Sequence, residues 1–207
     1  GFGGLRLGGS DRGGLVFRIF RPPVPGSPPV TLAGLGLVSG LLSAAWGTQT
    51  YMGAYYLEPV AKVFALVPDL LPVGVLFGGA MALGVWWFSG RLLCLPVVVV
   101  VTIYAWSAAV QVAIRTQRHV DDDPHLLAAS LGAGAVGAGI THLGCAIFAS
   151  GLRRPARVLV TIAIGALAGL LLYASQRKYV GESWLYVIWQ PAVAAAIGAG
   201  MSPNRQA

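Results

Sequence analysis

An all-α, polytopic membrane protein is the fold class this sequence predicts: a bundle of about six transmembrane helices behind an extended Gly/Pro-rich N-terminal arm. Three observations predict it. Hydrophobic types make up 56% of the 207 residues and charged types only 10%, against roughly 25% charged in soluble domains. The mean hydropathy of +0.73 excludes intrinsic disorder, which needs low hydrophobicity and high charge. The few charges stand between long apolar runs, and a spanning helix needs about 20 mostly apolar residues. The net charge of +7 therefore reads as membrane topology and not as a nucleic-acid face, which would need clustered cations on a soluble domain.

The chain divides into an arm (1–29), a six-helix transmembrane domain (30–201) and a tail (202–207). The arm is Gly-rich, then Pro-rich at Pro22, Pro23, Pro25, Pro28 and Pro29, a run that favours extended polyproline and delays the first helix to Val30. It is either a solvated linker or, through the alternating apolar and Arg residues of 15–21, a segment at the lipid interface. The chain begins at Gly1 without an initiator Met, which predicts a processed or trimmed product. An ordered arm of this composition implies a large partner that holds it.

The spans are expected at Val30–Met52, Pro72–Gly90, Leu92–Ile114, Leu126–Gly151, Ala156–Ser175 and Ser183–Met201. Between the first two, Val60, Val63, Phe64 and Val67 recur at helical spacing beside Glu58, Lys62 and Asp69, which reads as a short surface helix or an ordinary loop. Asp123-Pro124 reads as the N-cap and first residue of span four, Pro155 as the start of span five, and Ser183 as the cap of span six. Gly36 and Gly40, Gly74 and Gly78, and Gly165 and Gly169 match the spacing that lets helix backbones approach in lipid, and span four adds Gly132, Gly134, Gly137 and Gly139. Trp46, Trp86, Trp87 and Trp184 fall near span ends, whereas Trp106 and Trp189 lie deeper.

Six spans put both termini on one side. That side holds Arg6, Arg12, Arg18, Arg21, Arg91, Arg153, Arg154, Arg157 and Arg205 against Asp11, a balance of +8. The other side balances at −1, and positive charge is retained inside. The inside is cytoplasm, or matrix in the mitochondrial inner membrane, which is favoured over a bacterial inner membrane. The basic patch of Arg153, Arg154 and Arg157, with Arg18 and Arg21 of the arm, either sets topology alone or also binds anionic headgroups such as cardiolipin.

Candidate chemistry is sparse. His142 is the one ionisable residue firmly inside a span, and an intramembrane ionisable group is a functional candidate. It either relays protons or binds a metal, or is a neutral imidazole bonded to a neighbouring helix, with Thr141 or Gln111 as partner. Paired-histidine haem ligation would need a second buried His, and His119 and His125 lie in a loop. That loop, His119-Val-Asp121-Asp122-Asp123-Pro-His125, is either a surface metal site or a solvated loop before a capped helix. Cys94 and Cys145 form no redox motif, and the sequence has no Ser-His-Asp set, no phosphate loop and no carboxylate inside a span.

The segment Ala45-Trp-Gly-Thr-Gln-Thr-Tyr51, the segment Arg115-Thr-Gln-Arg-His119 after span three and His142 in span four resemble, in type and order, the small eukaryotic family typified by transmembrane protein two hundred and five. The resemblance covers spans one to four; Leu71-Pro-Val-Gly74 stands where that family carries a Phe-Pro-x-Tyr-Phe-like element. It implies a eukaryotic, non-enzymatic protein and no catalytic residues.

The function expected is a non-catalytic accessory subunit of a larger membrane complex, such as a mitochondrial respiratory-chain complex. It would stabilise assembly by helix packing and anionic-lipid contacts, with other membrane subunits as partners and no cofactor beyond bound phospholipid. The alternatives are a small transporter or channel whose path is lined by Gln111, His142 and Gln190, and a membrane enzyme with a metal at His119, Asp121–Asp123 and His125.

Overall fold

The computed structural model describes residues 26–47, 71–117 and 123–201, and all the regular structure among them is helical. Among the described residues six helices are long and apolar enough to cross a membrane: α1 (Pro28–Gly47), α2 (Leu71–Ser89), α3 (Cys94–Gln117), α4 (Asp123–Ala146), α5 (Pro155–Gln176) and α6 (Ser183–Met201). The chain is an integral membrane protein. The proposed surface helix between α1 and α2, most of the arm, the tail, His119, Asp121 and Asp122 lie outside the described residues.

Proline marks five of the six helix starts. Pro28, Pro72, Pro96, Pro124 and Pro155 all sit in a first turn, where the missing N–H leaves no gap in the hydrogen-bond ladder. For the same reason α1 begins at Pro28 and not at Val30: the last two prolines of the arm belong to the helix and do not block it. Ser183 is the first residue of α6 and Glu182 precedes it, so the serine lies inside the first turn and not ahead of it.

α4 stops at Ala146, five residues short of the expected Gly151. The chain turns there through Cys145, whose carbonyl accepts from the N–H groups of both Phe148 and Ala149. A single 3₁₀ turn, Ser150–Arg153, follows. Pro155 then holds Arg154 in an extended conformation (φ −72°, ψ 125°), which separates this turn from α5.

Each helix packs against its neighbours in sequence, and α6 returns to α1, closing a ring. One end of the ring carries Pro28, Arg91, Arg153 and Met201 and is called here the terminal face; the opposite face carries Leu71, Asp123, Gln176 and Ser183. Trp189 of α6 lies at the centre. Its ring meets Phe77 of α2 (centroids 5.5 Å apart) and Trp106 of α3 (5.2 Å), both edge to face, and its Nε1–H donates to Gly165 O of α5 at 3.2 Å. α5 is the most peripheral helix, with large apolar side chains such as Leu159, Val160 and Leu167 on its outer side.

The paired glycines seal the ring from within this chain. A Cβ at Gly36 would stand 2.8 Å from Gln190 O of α6, and one at Gly78 would stand 3.0 Å from Val99 Cα of α3. Gly134 of α4 and Gly165 and Gly169 of α5 interlock so closely that a side chain on any of them would overlap the other backbone.

Candidate functional site

The candidate residues gather at the terminal face, where α4 ends. A helix end leaves carbonyls without partners, and in lipid these need internal donors. Arg153 supplies them: its Nε–H donates to Ala146 O (3.1 Å) and an Nη2–H to Ile147 O (3.0 Å). Arg157, in the first turn of α5, donates from Nη1 to Gly151 O at 2.8 Å and also to Gly200 O in the last turn of α6. The two guanidinium groups therefore cap two helix ends and tie the 3₁₀ turn to α5 and α6.

His142 lies one turn above this point and is completely buried. Its Nε2 is 2.9 Å from Leu152 O and its Nδ1 is 2.8 Å from Thr161 Oγ1 of α5. Leu152 O can only accept, so Nε2 carries the proton. In the neutral ring Nδ1 can then only accept, and the single proton of the Thr161 hydroxyl is shared between Nδ1 and Arg157 O, 3.0 Å away. The partners of His142 are thus Thr161 and Leu152, in place of the expected Thr141 or Gln111. The ring joins α4, the 3₁₀ turn and α5.

A second polar seam holds α1 to α6. Ser39 Oγ donates to Gln190 Oε1 at 2.6 Å, and Gln190 Nε2 donates to Ser43 Oγ at 3.1 Å, all three side chains being buried. Pro191, the residue after Gln190, removes the N–H that would have met Val187 O in the helix ladder. Glycines 36 and 40 of α1 pack directly over this part of α6.

A third feature is a crevice bounded by α3, α4, α5 and α6. A small inner chamber of about 40 Å³ is bounded by Trp106, Ser130, Gly137 and Trp189. An outer chamber of about 230 Å³ reaches Ile114, Gln176 and Tyr186 towards the opposite face. The two share Ala109, Ala133, Leu172 and Leu185 in their walls. Trp106 Nε1 and Ser130 Oγ are buried without a hydrogen-bond partner; among the described residues only Thr141 Oγ1 shares that condition.

The sequence singled out none of the crevice's polar groups as a site. Ser130 is one hydroxyl in a stripe of Ala and Gly, and the only signal for Trp106 was its depth within the span. Of the arginine patch, Arg153 and Arg157 bond to backbone carbonyls around the end of α4, Arg153 and Arg154 are exposed and Arg157 is half-buried; Arg18 and Arg21 fall outside the described residues. Of the loop histidines and aspartates, Asp123 and His125 are described, and Asp123 pairs with Arg177 at the end of α5. Among the described residues no three His, Cys, Asp or Glu side chains come together as a metal site would require.

Comparison with protein-family models, with curated proteins and with solved structures returns no match to this chain. The resemblance carried by Ala45–Tyr51 and Arg115–His119 gains no support from these comparisons, and no residue role is taken from it.

Proposed function

We propose that this chain is a non-catalytic component of a larger membrane assembly, with the terminal face inside and anionic lipid headgroups against it. The observation that carries the reading is where the buried polar side chains go. His142, Thr161, Gln190, Ser39 and Ser43 are bonded to one another or to backbone across helix contacts, so they hold the bundle in one arrangement. No described span has an acidic side chain buried within it with which to move a proton or a cation.

Charge supports the orientation. Among the described residues the terminal face carries Arg91, Arg153, Arg154 and Arg157 and no acid, whereas the opposite face mixes Arg115, Arg177 and Lys178 with Asp123 and Glu182. Apolar faces support the assembly. Leu37, Val38, Leu41 and Leu42 lie exposed on α1, as do Leu159, Val160, Leu167 and Leu170 on α5, and neighbouring helices or acyl chains would cover both.

The test is native electrophoresis of the chain extracted in mild detergent, with the co-migrating proteins identified. A stoichiometric set of membrane subunits is expected, and respiratory-chain subunits would place the host in the mitochondrial inner membrane. Migration of the chain by itself refutes the assembly reading. Lipid contact is tested separately. Exchange of Arg153, Arg154 and Arg157 for Gln should reduce co-purified anionic lipid. The triple Lys exchange should retain that lipid while lowering the melting temperature, because Lys keeps the charge but lacks the forked donors that cap α4 and α6.

A further inference from the structure

We propose that the crevice between α3, α4, α5 and α6 is a binding site for a neutral, membrane-soluble molecule that carries a carbonyl oxygen on an apolar body. The proposal is independent of the assembly reading, since it concerns a site within one chain.

Two hydrogen-bonding groups at the inner end carry it. Trp106 is 8% exposed and Ser130 fully buried, and neither Nε1 nor Oγ has a partner among the described residues. Leaving such a group unpaired forfeits its hydration without return, and the great majority of buried polar atoms are paired. Both residues line the same inner chamber, so one partner entering it could satisfy both. An indole N–H only donates and a hydroxyl can donate, so the partner must accept. A carbonyl oxygen, with two lone pairs, accepts from both.

The walls set the rest of the ligand. Ala109, Ala133, Leu172 and Leu185 are common to both chambers, and among the described residues no charged side chain bounds either chamber. An ion would lose its hydration there without a counter-charge, which selects a neutral molecule. The outer chamber of about 230 Å³ exceeds the ~150 Å³ known to hold one benzene ring, so it accommodates a ring or a short acyl segment. The inner chamber of about 40 Å³ has room only for the oxygen-bearing end. The outer chamber reaches Ile114 and Gln176 near the ends of α3 and α5, which gives entry from the opposite-face interface of the bilayer.

This carbonyl chemistry has two natural sources in a membrane: a ring ketone or quinone, and the ester of an acyl lipid. The test uses the full chain in a maltoside detergent, which has no carbonyl, with ¹⁵N-labelled indole. The Trp106 N–H resonance is assigned by its loss in Trp106→Phe. Three probes are titrated: a decyl-substituted benzoquinone, dioctanoylglycerol, and decylbenzene as the oxygen-free control. A saturable shift of the Trp106 resonance is expected with at least one carbonyl probe, at affinity about tenfold or more above decylbenzene. The probe that shifts it identifies the source. Ser130→Ala should weaken that binding by about tenfold, and Ala109→Leu, which fills the shared wall and leaves both donors in place, should abolish it. The proposal is overturned if decylbenzene binds as well as both carbonyl probes. It is equally overturned if no probe moves the resonance, and cross-relaxation of Trp106 N–H to a bound water would then make the chamber a hydration site.

Discussion

At His142, a residue that lipid makes expensive is converted into a tie. Both ring nitrogens are engaged, one by a hydroxyl of α5 and one by a carbonyl of the turn that precedes it. His142→Leu preserves most of the volume but leaves Leu152 O and the Thr161 hydroxyl without the ring. It should cost about 1–3 kcal/mol in reversible unfolding from detergent. Leu143→Ala, on the exposed side of the same helix, should change stability by less than about 0.5 kcal/mol. Equal effects at the two positions would remove the structural role argued for His142.

Lys178 offers a prediction of opposite sign. It follows the end of α5 with φ +60°, a left-handed conformation that suits glycine. Its N–H meets Ser175 O at 2.9 Å and the N–H of Tyr179 meets Ala174 O at 2.9 Å, the two bonds of a Schellman cap. Lys178→Gly keeps both bonds and relieves the Cβ, so the melting temperature should rise, by the equivalent of about 1 kcal/mol. The sequence carries no warning of this position, because Arg177-Lys178 reads as a solvated charge pair. Only the backbone angle shows what the residue is doing.

Among the helices, close approach is what the small residues provide, and it can be separated from mere composition. Gly134 of α4 has no room for a side chain against Gly165 of α5, and Gly198 of α6 would place a Cβ 2.6 Å from Pro28 O of α1. Gly34 and Gly79 face open space. Gly134→Val and Gly198→Val should force their helix pairs apart and lower stability by several kcal/mol, at the upper end of overpacking costs of roughly 1–3 kcal/mol or more. Gly34→Ala and Gly79→Ala should be neutral or stabilising by about 0.5–1 kcal/mol through helix propensity. Thermal unfolding of the four variants checks the contrast.

The spacing of Gly36 with Gly40 and of Gly165 with Gly169 made these faces visible in the sequence. Their partners were not visible, because any two small stripes fit each other about equally well in lipid. The register that sets Gly134 opposite Gly165, and α1 over Pro191, is a property of the closed ring.

For the whole molecule, Trp189 is the point at which the ring is filled. It touches α2 through Phe77, α3 through Trp106, α4 at Gly137 and α5 through the Gly165 carbonyl. Trp189→Ala should therefore cost about 3–5 kcal/mol and broaden the unfolding transition, since four neighbouring helices lose one shared contact. Trp184→Ala, at the exposed start of the same helix, should leave the transition sharp. Circular dichroism and tryptophan fluorescence melts that coincide in the parent chain and diverge in Trp189→Ala would show the loss of a common core.

The sequence by itself determined the solvent, the number of spans and the helix starts at Pro72, Pro124 and Pro155. Each follows from local quantities: the transfer of some 20 apolar residues into lipid, and a proline whose missing N–H costs nothing in a first turn. Only the tertiary structure decided which polar groups meet. Leu152 O reaches His142 because the chain breaks from helix at Ala146 and returns through a 3₁₀ turn. Trp106 and Ser130 border one chamber because α3 and α4 pack as neighbours, with α5 and α6 completing its wall. Hydrogen bonds and cavities depend on distances between segments remote in sequence, and those distances exist only once the ring has closed.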